Sequence, residues 1–388
     1  DKAKKRQRSL LATQRSYQTQ AVETYRDVID RFPSAKKIDE MRYYLGYHLG
    51  AMGRRGEAMK AFSDLLLKHP SSTYVPDALV NIGDYHFEEN SYREALEVYE
   101  RIQQYGDTAV KAYALYKTAW CQYNLAAYDL AMDRLLSVIK LTKSQHEAGR
   151  RGAIDLMEEA QSELVYPYSK IGKPGQAIAF FRKFVPTRYL AIAAKLAGMY
   201  TEQTEYVKSN KLLRSLMKEA RKARKGEQSQ AHMVLRFQRQ IVSNAHRQVD
   251  KGATVSEIQQ LISEYQKLAP DAPKKFIGKE RAAIQQQILE IATGYHNEFK
   301  ATKAKRTLEH TQLLYAEYLR VFRDDPNAYA ISYNNALLLT MTGKYDQAAA
   351  EFEKVIAAKP NGKFADDAAE RAVAGLNTLI DYRYQQHF

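Results

Sequence analysis

Residues 45–70 read LGYHLGAMGRRGEAMKAFSDLLLKHP, and residues 82–99 read IGDYHFEENSYREALEVY. Both stretches contain a glycine, an alanine twelve residues later and an aromatic residue four positions after that alanine, and the first stretch ends on a proline. Small side chains let two helices cross closely, and proline stops the second helix. We expect the aromatic ring to fill the gap between successive hairpins. The pattern therefore predicts a repeated helix hairpin.

The same spacing recurs along the chain. Copies of the alanine, aromatic and proline set are Ala21/Tyr25/Pro33, Ala58/Phe62/Pro70 and Ala348/Phe352/Pro360, and copies without the proline are Ala95/Tyr99 and Ala177/Phe181. The small residue twelve positions before an alanine is Gly46, Gly83, Ala119 or Ala336. Between the two helices, turns are marked by Gly53, Gly172 and Gly343 and by the aromatic residues Tyr92, Tyr128 and Tyr345. Repetition of one unit predicts a stacked repeat array.

This arrangement resembles the tetratricopeptide repeat, W-x2-L-G-x2-Y…A-x3-F…P, most clearly from Leu45 to Pro70 and from Ile82 to Tyr99. The resemblance covers residues 15–215 and 328–388, although the consensus tryptophan is absent from every copy. It implies an all-α fold, a right-handed α-solenoid of about nine or ten antiparallel helix hairpins with a concave groove.

The repeat period is longer than usual. Ala21, Ala58, Ala95 and Ala131 are separated by 37, 37 and 36 residues, against about 34 in the standard repeat. The extra residues fall in Pro-Ser linkers, which is similar to the bacterial cell-envelope subgroup of BamD-like and CpoB-like proteins. That resemblance implies a periplasmic or outer-membrane-associated protein, with a cytoplasmic location as the alternative.

The repeat pattern fades in the middle of the chain. We predict an N-terminal array over 1–215, degenerate long hairpins over 216–327 and a C-terminal repeat with a capping or truncated helix over 328–388. Apolar spacing predicts helices at 229–249, 255–268, 279–301, 303–323 and 364–386. A separate helical domain that interrupts the array is the alternative for the middle segment.

The chain is basic, with 59 Lys and Arg residues against 45 Asp and Glu, a net charge of +14. An excess of this kind favours acidic partners. One cluster opens the chain, and a second, predicted to be helical and to extend its helix into solvent, comprises Lys218, Arg221, Lys222, Arg224 and Lys225. This basic surface is either a solvated face or a contact surface. As a contact surface it would bind an acidic partner or anionic lipid, and binding to lipid would make the protein peripherally membrane-associated. Nucleic-acid binding is not the expected use.

Catalytic and metal-binding patterns are absent from the sequence. No phosphate-binding glycine loop, H-E-x-x-H or C-x-x-C occurs, and the nine histidines are scattered. Cys121, the single cysteine, lies beside a packing position and is expected to be a buried thiol. We therefore predict no enzyme activity, cofactor, metal or small-molecule substrate. The sequence begins at Asp1 rather than a methionine, so we expect that an upstream segment has been removed.

Aromatic residues occupy the positions that line the concave face in this family, which are repeat positions 2, 5, 9 and 12 of each first helix. The predicted partner-binding residues are Tyr43, Tyr47, Asp84, Phe87, Tyr113, Tyr116, Trp120, Tyr123 and Tyr166. Tyrosine and tryptophan dominate interface hot spots. The alternative is that the rings only pack between neighbouring hairpins, but Leu115, Ala119, Leu135 and Val138 already fill the core positions of the fourth hairpin.

The expected function is a non-catalytic scaffold that holds a peptide or helix of a protein partner, within a bacterial envelope complex. A cytoplasmic adaptor that binds acidic proteins or RNA through its basic surface is the alternative. The Lys and Asn residues of the family's carboxylate clamp are replaced by Tyr43 and Tyr47, so that function is not carried over. If the groove is free, Tyr116→Ala with Trp120→Ala should weaken partner capture by about 2 kcal/mol and leave the thermal melt nearly unchanged.

Overall fold

The computed structural model describes residues 2–106, 108–149, 154–222, 228–271 and 274–386, and these residues contain helices and no strand. They form two compact units, the first ending at Ile192 and the second beginning at Ala193. The all-α prediction is confirmed. The domain boundaries predicted at 215/216 and 327/328 stay a prediction.

The first unit contains α1 to α10 and the start of α11. The helices are α1 Lys2–Arg31, α2 Ile38–Ala51, α3 Arg55–Lys68, α4 Val75–Glu88, α5 Tyr92–Ile102, α6 Lys111–Asn124, α7 Tyr128–Glu147, α8 Met157–Glu163, α9 Val165–Ile171, α10 Ala177–Phe184 and α11 Tyr189–Glu202. A short 3-10 helix, Pro174–Gln176, precedes α10.

The second unit contains the rest of α11 and the helices that follow. They are α12 Tyr206–Ala220, α13 Gln228–Arg247, α14 Lys251–Leu268, α15 Lys274–Thr302, α16 Lys305–Val321, α17 Ala328–Met341, α18 Tyr345–Ala358 and α19 Ala365–Gln386. A 3-10 helix, Ala269–Asp271, follows α14. All five helices predicted by apolar spacing in residues 229–386 are present, with shifted ends.

In the described residues, consecutive helices pair into eight hairpins, one of which has α8 and α9 in place of a single first helix. The single helices α1 and α19 flank them. The prediction of nine or ten hairpins was too high because α1 is one continuous helix of 30 residues. Its Ala21 and Tyr25 therefore have no first helix of their own. The proline signal is confirmed: α1, α3 and α18 each end two residues before a proline.

Close helix crossings explain the small residues. A Cβ added to Gly46 would lie 2.6 Å from the Phe62 ring, and one added to Gly83 would lie 2.5 Å from the Tyr99 ring. The ring therefore packs against the glycine of its own hairpin. It also shares a core cluster with residues of the next hairpin, Ala78 and Ile82 for Phe62 and Ala114 and Cys121 for Tyr99. Phe62 and Tyr99 are both buried. The glycine and the aromatic residue form one packing unit.

Most hairpin turns in the described residues use one residue in the left-handed region. Gly53 and Gly343, which mark turns in the sequence, have positive φ, whereas Gly172 has φ −77° and is extended. Other turns place a non-glycine residue there: Asn90, Ala126, Thr204, Val249 and Lys303, with φ between 55° and 61°. Because Val249 and Lys303 lie in the middle segment, the same turn continues where the sequence repeat fades. The interpretation of residues 216–327 as degenerate hairpins stays a prediction.

Val249 is the least suitable of these turn residues. It has φ 60° and its side chain is 78% exposed, so it gains little from packing. A left-handed conformation costs an L-residue about 1–2 kcal/mol, and glycine avoids that cost. Val249→Gly should therefore raise the free energy of unfolding by about 1 kcal/mol, measured by urea denaturation. Gly343→Val, at the equivalent turn, is the control and should lower it. A lower stability for Val249→Gly would contradict this account.

Candidate partner-binding site

The nine predicted partner-binding residues, here called the aromatic face, all lie in the first unit. Tyr43 and Tyr47 are on α2, Asp84 and Phe87 on α4, Tyr113, Tyr116, Trp120 and Tyr123 on α6, and Tyr166 on α9. The spacing of three and four residues places each helix's members on one side of that helix. The predicted core residues Leu115, Ala119, Leu135 and Val138 are buried, which confirms their assignment.

Asp84 joins α4 to its neighbours. Its carboxylate accepts hydrogen bonds from the hydroxyls of Tyr99 (2.5 Å) and Tyr113 (3.0 Å). The Lys117 ammonium lies 3.1 Å from the same carboxylate and 3.7 Å from the centre of the Phe87 ring. Burial, together with the charge of Asp84, raises the pKa of both tyrosines above the usual value. The structure thus brings three members of the aromatic face, Asp84, Phe87 and Tyr113, into one network.

Glu163 organises a second network at the end of α8. Its carboxylate accepts hydrogen bonds from the Tyr116 hydroxyl (2.9 Å) and from Trp120 Nε1 (2.8 Å). The indole ring lies 5.5 Å from the Tyr123 ring and 5.6 Å from the Tyr166 ring, centre to centre. Burial, then the bond to Glu163, raises the pKa of Tyr116 to about 12. Tyr116, Trp120 and Tyr123 are therefore tied to the following hairpin, which carries Tyr166.

These hydrogen bonds change one expectation from the sequence. Tyr116 and Trp120 were expected to be removable with little effect on the thermal melt. Both side chains are partly buried and donate to the same carboxylate, so removing them leaves Glu163 without two of its donors. We now expect the double variant to be less stable as well. The sequence left packing between neighbouring hairpins as an alternative role for these rings. The hydrogen bonds of the Tyr116 hydroxyl and Trp120 Nε1 to Glu163 agree with that role.

A third group surrounds Tyr43 on α2. Its ring lies 5.1 Å from Tyr74, 5.3 Å from Tyr44 and 6.5 Å from Tyr47, centre to centre. Burial, then the neighbouring charge of Asp77, raises the pKa of Tyr43 to about 12. Tyr47 is 50% exposed. The half-buried Tyr43 ring thus packs beside the solvent-exposed Tyr47 ring.

Sequence reasoning missed three functional neighbours of these rings. Lys117 and Glu163 occupy repeat position 6, which the rule of positions 2, 5, 9 and 12 does not include. Asp77 occupies position 2, which that same rule includes, but its side chain is not aromatic. A charged residue directly after repeat position 5 is the signal that would have found the other two.

Comparison with protein families matches three segments of the chain. A tetratricopeptide repeat model matches residues 43–110 and 314–363, and a second tetratricopeptide repeat model matches residues 113–141. Over these three segments the chain is similar to tetratricopeptide repeats. They include eight of the nine residues of the aromatic face, all but Tyr166. A search among curated proteins found no relative that matches the chain.

Several solved structures are similar to the chain at low identity. The C-terminal part of a TPR repeat-containing protein from Cytophaga hutchinsonii is 15% identical, with 74% of this chain and 98% of that chain covered and a TM-score of 0.30. The complex of the TPR2AB domain of yeast Sti1 with pHSP90 is 13% identical, with 78% and 99% covered and a TM-score of 0.31. Naa15/Naa10 bound to HypK is 12% identical, with 92% and 64% covered and a TM-score of 0.35. Scores this low support no inference about function.

Outside the tetratricopeptide repeat matches, the second unit carries the described part of the basic surface. Lys218 is exposed on α12, Arg221 lies 3.0 Å from Glu264, and Lys222 lies 2.7 Å from Glu219. Helix α12 ends at Ala220, which corrects the expectation that the cluster extends the helix. Arg224 and Lys225 lie outside the described residues. Two of the three described cations are therefore paired within the chain.

Cys121, in the segment 113–141, is buried as expected, and burial raises the pKa of its thiol to about 12. The thiol is therefore protonated near neutral pH and a poor nucleophile. Across the described residues, no group of three or more His, Cys, Asp or Glu side chains could hold a metal ion. No helix there is long and apolar enough to span a membrane.

Proposed function

We propose that this chain is a non-catalytic scaffold that binds a peptide or helix of a partner protein along the aromatic face. Segments similar to tetratricopeptide repeats cover most of that face. The observation that carries the proposal is the exposed Tyr47 ring above the half-buried Tyr43. Tyrosine gives a large contact area at a small cost in conformational entropy, which suits a hot spot at an interface.

The remaining rings of the aromatic face are held in place before any partner arrives. Tyr116 and Trp120 are fixed by Glu163, and Tyr113 is fixed by Asp84. A surface that is ordered beforehand loses less entropy on binding. These hydrogen bonds therefore serve both the packing between hairpins and the shape that a partner would meet.

Photo-crosslinking tests this proposal. A photoreactive phenylalanine analogue at Tyr47 should crosslink one defined partner in the native host, identified by mass spectrometry. The same analogue at Tyr17, an exposed tyrosine on α1 (67% exposed), is the matched control and should not capture that partner. Tyr123 offers a second position on the face. Capture of the same partner from Tyr17 as from Tyr47, or none from Tyr47 and Tyr123, would contradict the proposal.

We further propose that the scaffold acts in a bacterial cell-envelope complex, in the periplasm or at the outer membrane. The repeat spacing of 36 and 37 residues with Pro-Ser linkers supports this. A cytoplasmic adaptor that uses the basic surface is less favoured, because Arg221 and Lys222 already pair with carboxylates of this chain. Fractionation of cells that express the full-length gene product tests the location, and recovery with the cytoplasm would contradict it.

A further inference from the structure

The repeat positions that contain the aromatic face carry carboxylates and no cation, although the chain as a whole is basic. Positions 2, 5, 9 and 12 of α2, α4, α6 and the α8–α9 segment are sixteen residues that include the whole face. Eight of them are aromatic and none is Lys, Arg or His. Four are carboxylates: Glu40, Asp77, Asp84 and Glu159. With a net charge of +14 on the chain, an acidic stripe at these positions is a local property of the face.

The structure shows how this face holds an ammonium group. Lys117 places its nitrogen 3.1 Å from the Asp84 carboxylate, 3.7 Å from the centre of the Phe87 ring and 5.9 Å from that of Tyr113. A cation over an aromatic ring gains electrostatic attraction from the ring's π-electrons, and the carboxylate adds charge pairing. One carboxylate and two aromatic rings therefore form a cation-binding site, which Lys117 occupies.

Asp77 is a second carboxylate of the stripe that lies near a tyrosine. It lies beside Tyr43, the centre of the ring cluster on α2. In the part of the chain that the structure describes, no Lys, Arg or His lies within ion-pair distance of its carboxylate. The neutral Asn81 occupies the repeat position that Lys117 has in the next hairpin, and it donates to the Asp77 carbonyl oxygen (2.8 Å). The carboxylate is therefore left without a counter-charge.

Burial of this carboxylate has a cost. Burial raises the pKa of Asp77 above the ordinary value. Asp77 lies in the first turn of α4, and the hydrogen bond from its own backbone amide lowers the pKa by a smaller amount. Because the folded state disfavours the charged form, stability is full below the unfolded pKa and is lost as the pH rises through the raised folded pKa. A cation supplied from outside would relieve this cost at neutral pH.

We propose that the aromatic face binds a cationic segment of its partner, with a Lys or Arg side chain seated against Asp77 and the rings of Tyr43 and Tyr47. The inference rests on the proposed function and gives the partner a chemistry, a basic peptide segment. Charge complementarity carries it: the stripe offers carboxylates and rings. Lys37 pairs with Glu40 and Lys117 with Asp84, whereas Asp77 has no such pair among the described residues. This polarity is the reverse of a clamp for an acidic terminus.

Fluorescence anisotropy with the full chain tests the inference. The probes are a labelled lysine-rich peptide, its arginine version, and matched peptides with acetyl-lysine or glutamate at the same positions. The two cationic peptides should bind despite the repulsion expected from a basic protein, and binding should weaken with added salt. Equal or tighter binding of the glutamate or acetyl-lysine peptide would overturn the inference.

Two variants locate the binding at Asp77 and Tyr47. Asp77→Asn and Tyr47→Ala should each weaken binding of the lysine-rich peptide by about tenfold, whereas Tyr17→Ala should not. Asp77→Asn should also keep or raise the melting temperature at neutral pH, because it removes a buried unpaired charge. Unchanged binding by Asp77→Asn, or weaker binding with a lower melting temperature, would overturn the assignment.

The outcomes separate this inference from the proposed function. If the cationic peptides fail to bind but the crosslinks at Tyr47 capture a partner, the scaffold function stands and the cationic chemistry is wrong. If the crosslinks also fail, the aromatic face is not a binding surface and both proposals are wrong.

Discussion

Gly83→Ala should lower the free energy of unfolding of the protein by about 3 kcal/mol. The added Cβ would lie 2.5 Å from the Tyr99 ring, closer than two carbon atoms can approach. The ring cannot move aside easily, because Tyr99 is fully buried and its hydroxyl is bonded to Asp84. Either the helices α4 and α5 separate or the ring leaves its site, and both lose packing.

Urea denaturation followed by the fluorescence of Trp120, the only tryptophan, measures this effect in the first unit. Gly46→Ala repeats the test in the preceding hairpin, since its Cβ would lie 2.6 Å from Phe62. Gly56→Ala is the matched control: Gly56 is helical and exposed, and nothing lies within 4 Å of an added Cβ. A similar loss for Gly56→Ala and Gly83→Ala would show that the close crossing is not what glycine provides.

Glu163→Ala should lower the free energy of unfolding by about 3 kcal/mol, because a hydrogen bond to a charged group is among the stronger kinds. The substitution leaves two donors without their acceptor, the Tyr116 hydroxyl and Trp120 Nε1. It also frees the rings to change position. Glu163→Gln keeps one acceptor oxygen and should show a smaller loss.

Trp120 reports directly on this variant, since its indole donates to the carboxylate that is removed. Its emission should shift to longer wavelength in Glu163→Ala as the ring gains contact with water. Glu159→Ala, one turn earlier on α8 and exposed, is the control and should change neither the emission nor the stability. If Glu163→Ala behaved like Glu159→Ala, the carboxylate would not be what holds the face together.

Much of the fold could be predicted from the spacing of a few residue types. The small residues at the helix crossings are buried, namely Gly46, Gly83, Ala58 and Ala95. Helices α1, α3 and α18 each end two residues before a proline. This worked because a close backbone crossing and a helix stop depend on local sterics, which residue type alone fixes. The middle segment was harder, since its turns use Val249 and Lys303 in a conformation that sequence assigns to glycine.

The sequence by itself determined that the protein is all-α, where its helices cross, and which helix side carries the rings of the aromatic face. Only the tertiary structure decided which of those rings are tied to a neighbouring hairpin and which stay open. Tyr116 and Trp120 meet Glu163 more than forty residues away along the chain, whereas Asp77 meets no cation among the described residues. Pairings of this kind depend on the position of one hairpin against the next, which no local spacing encodes.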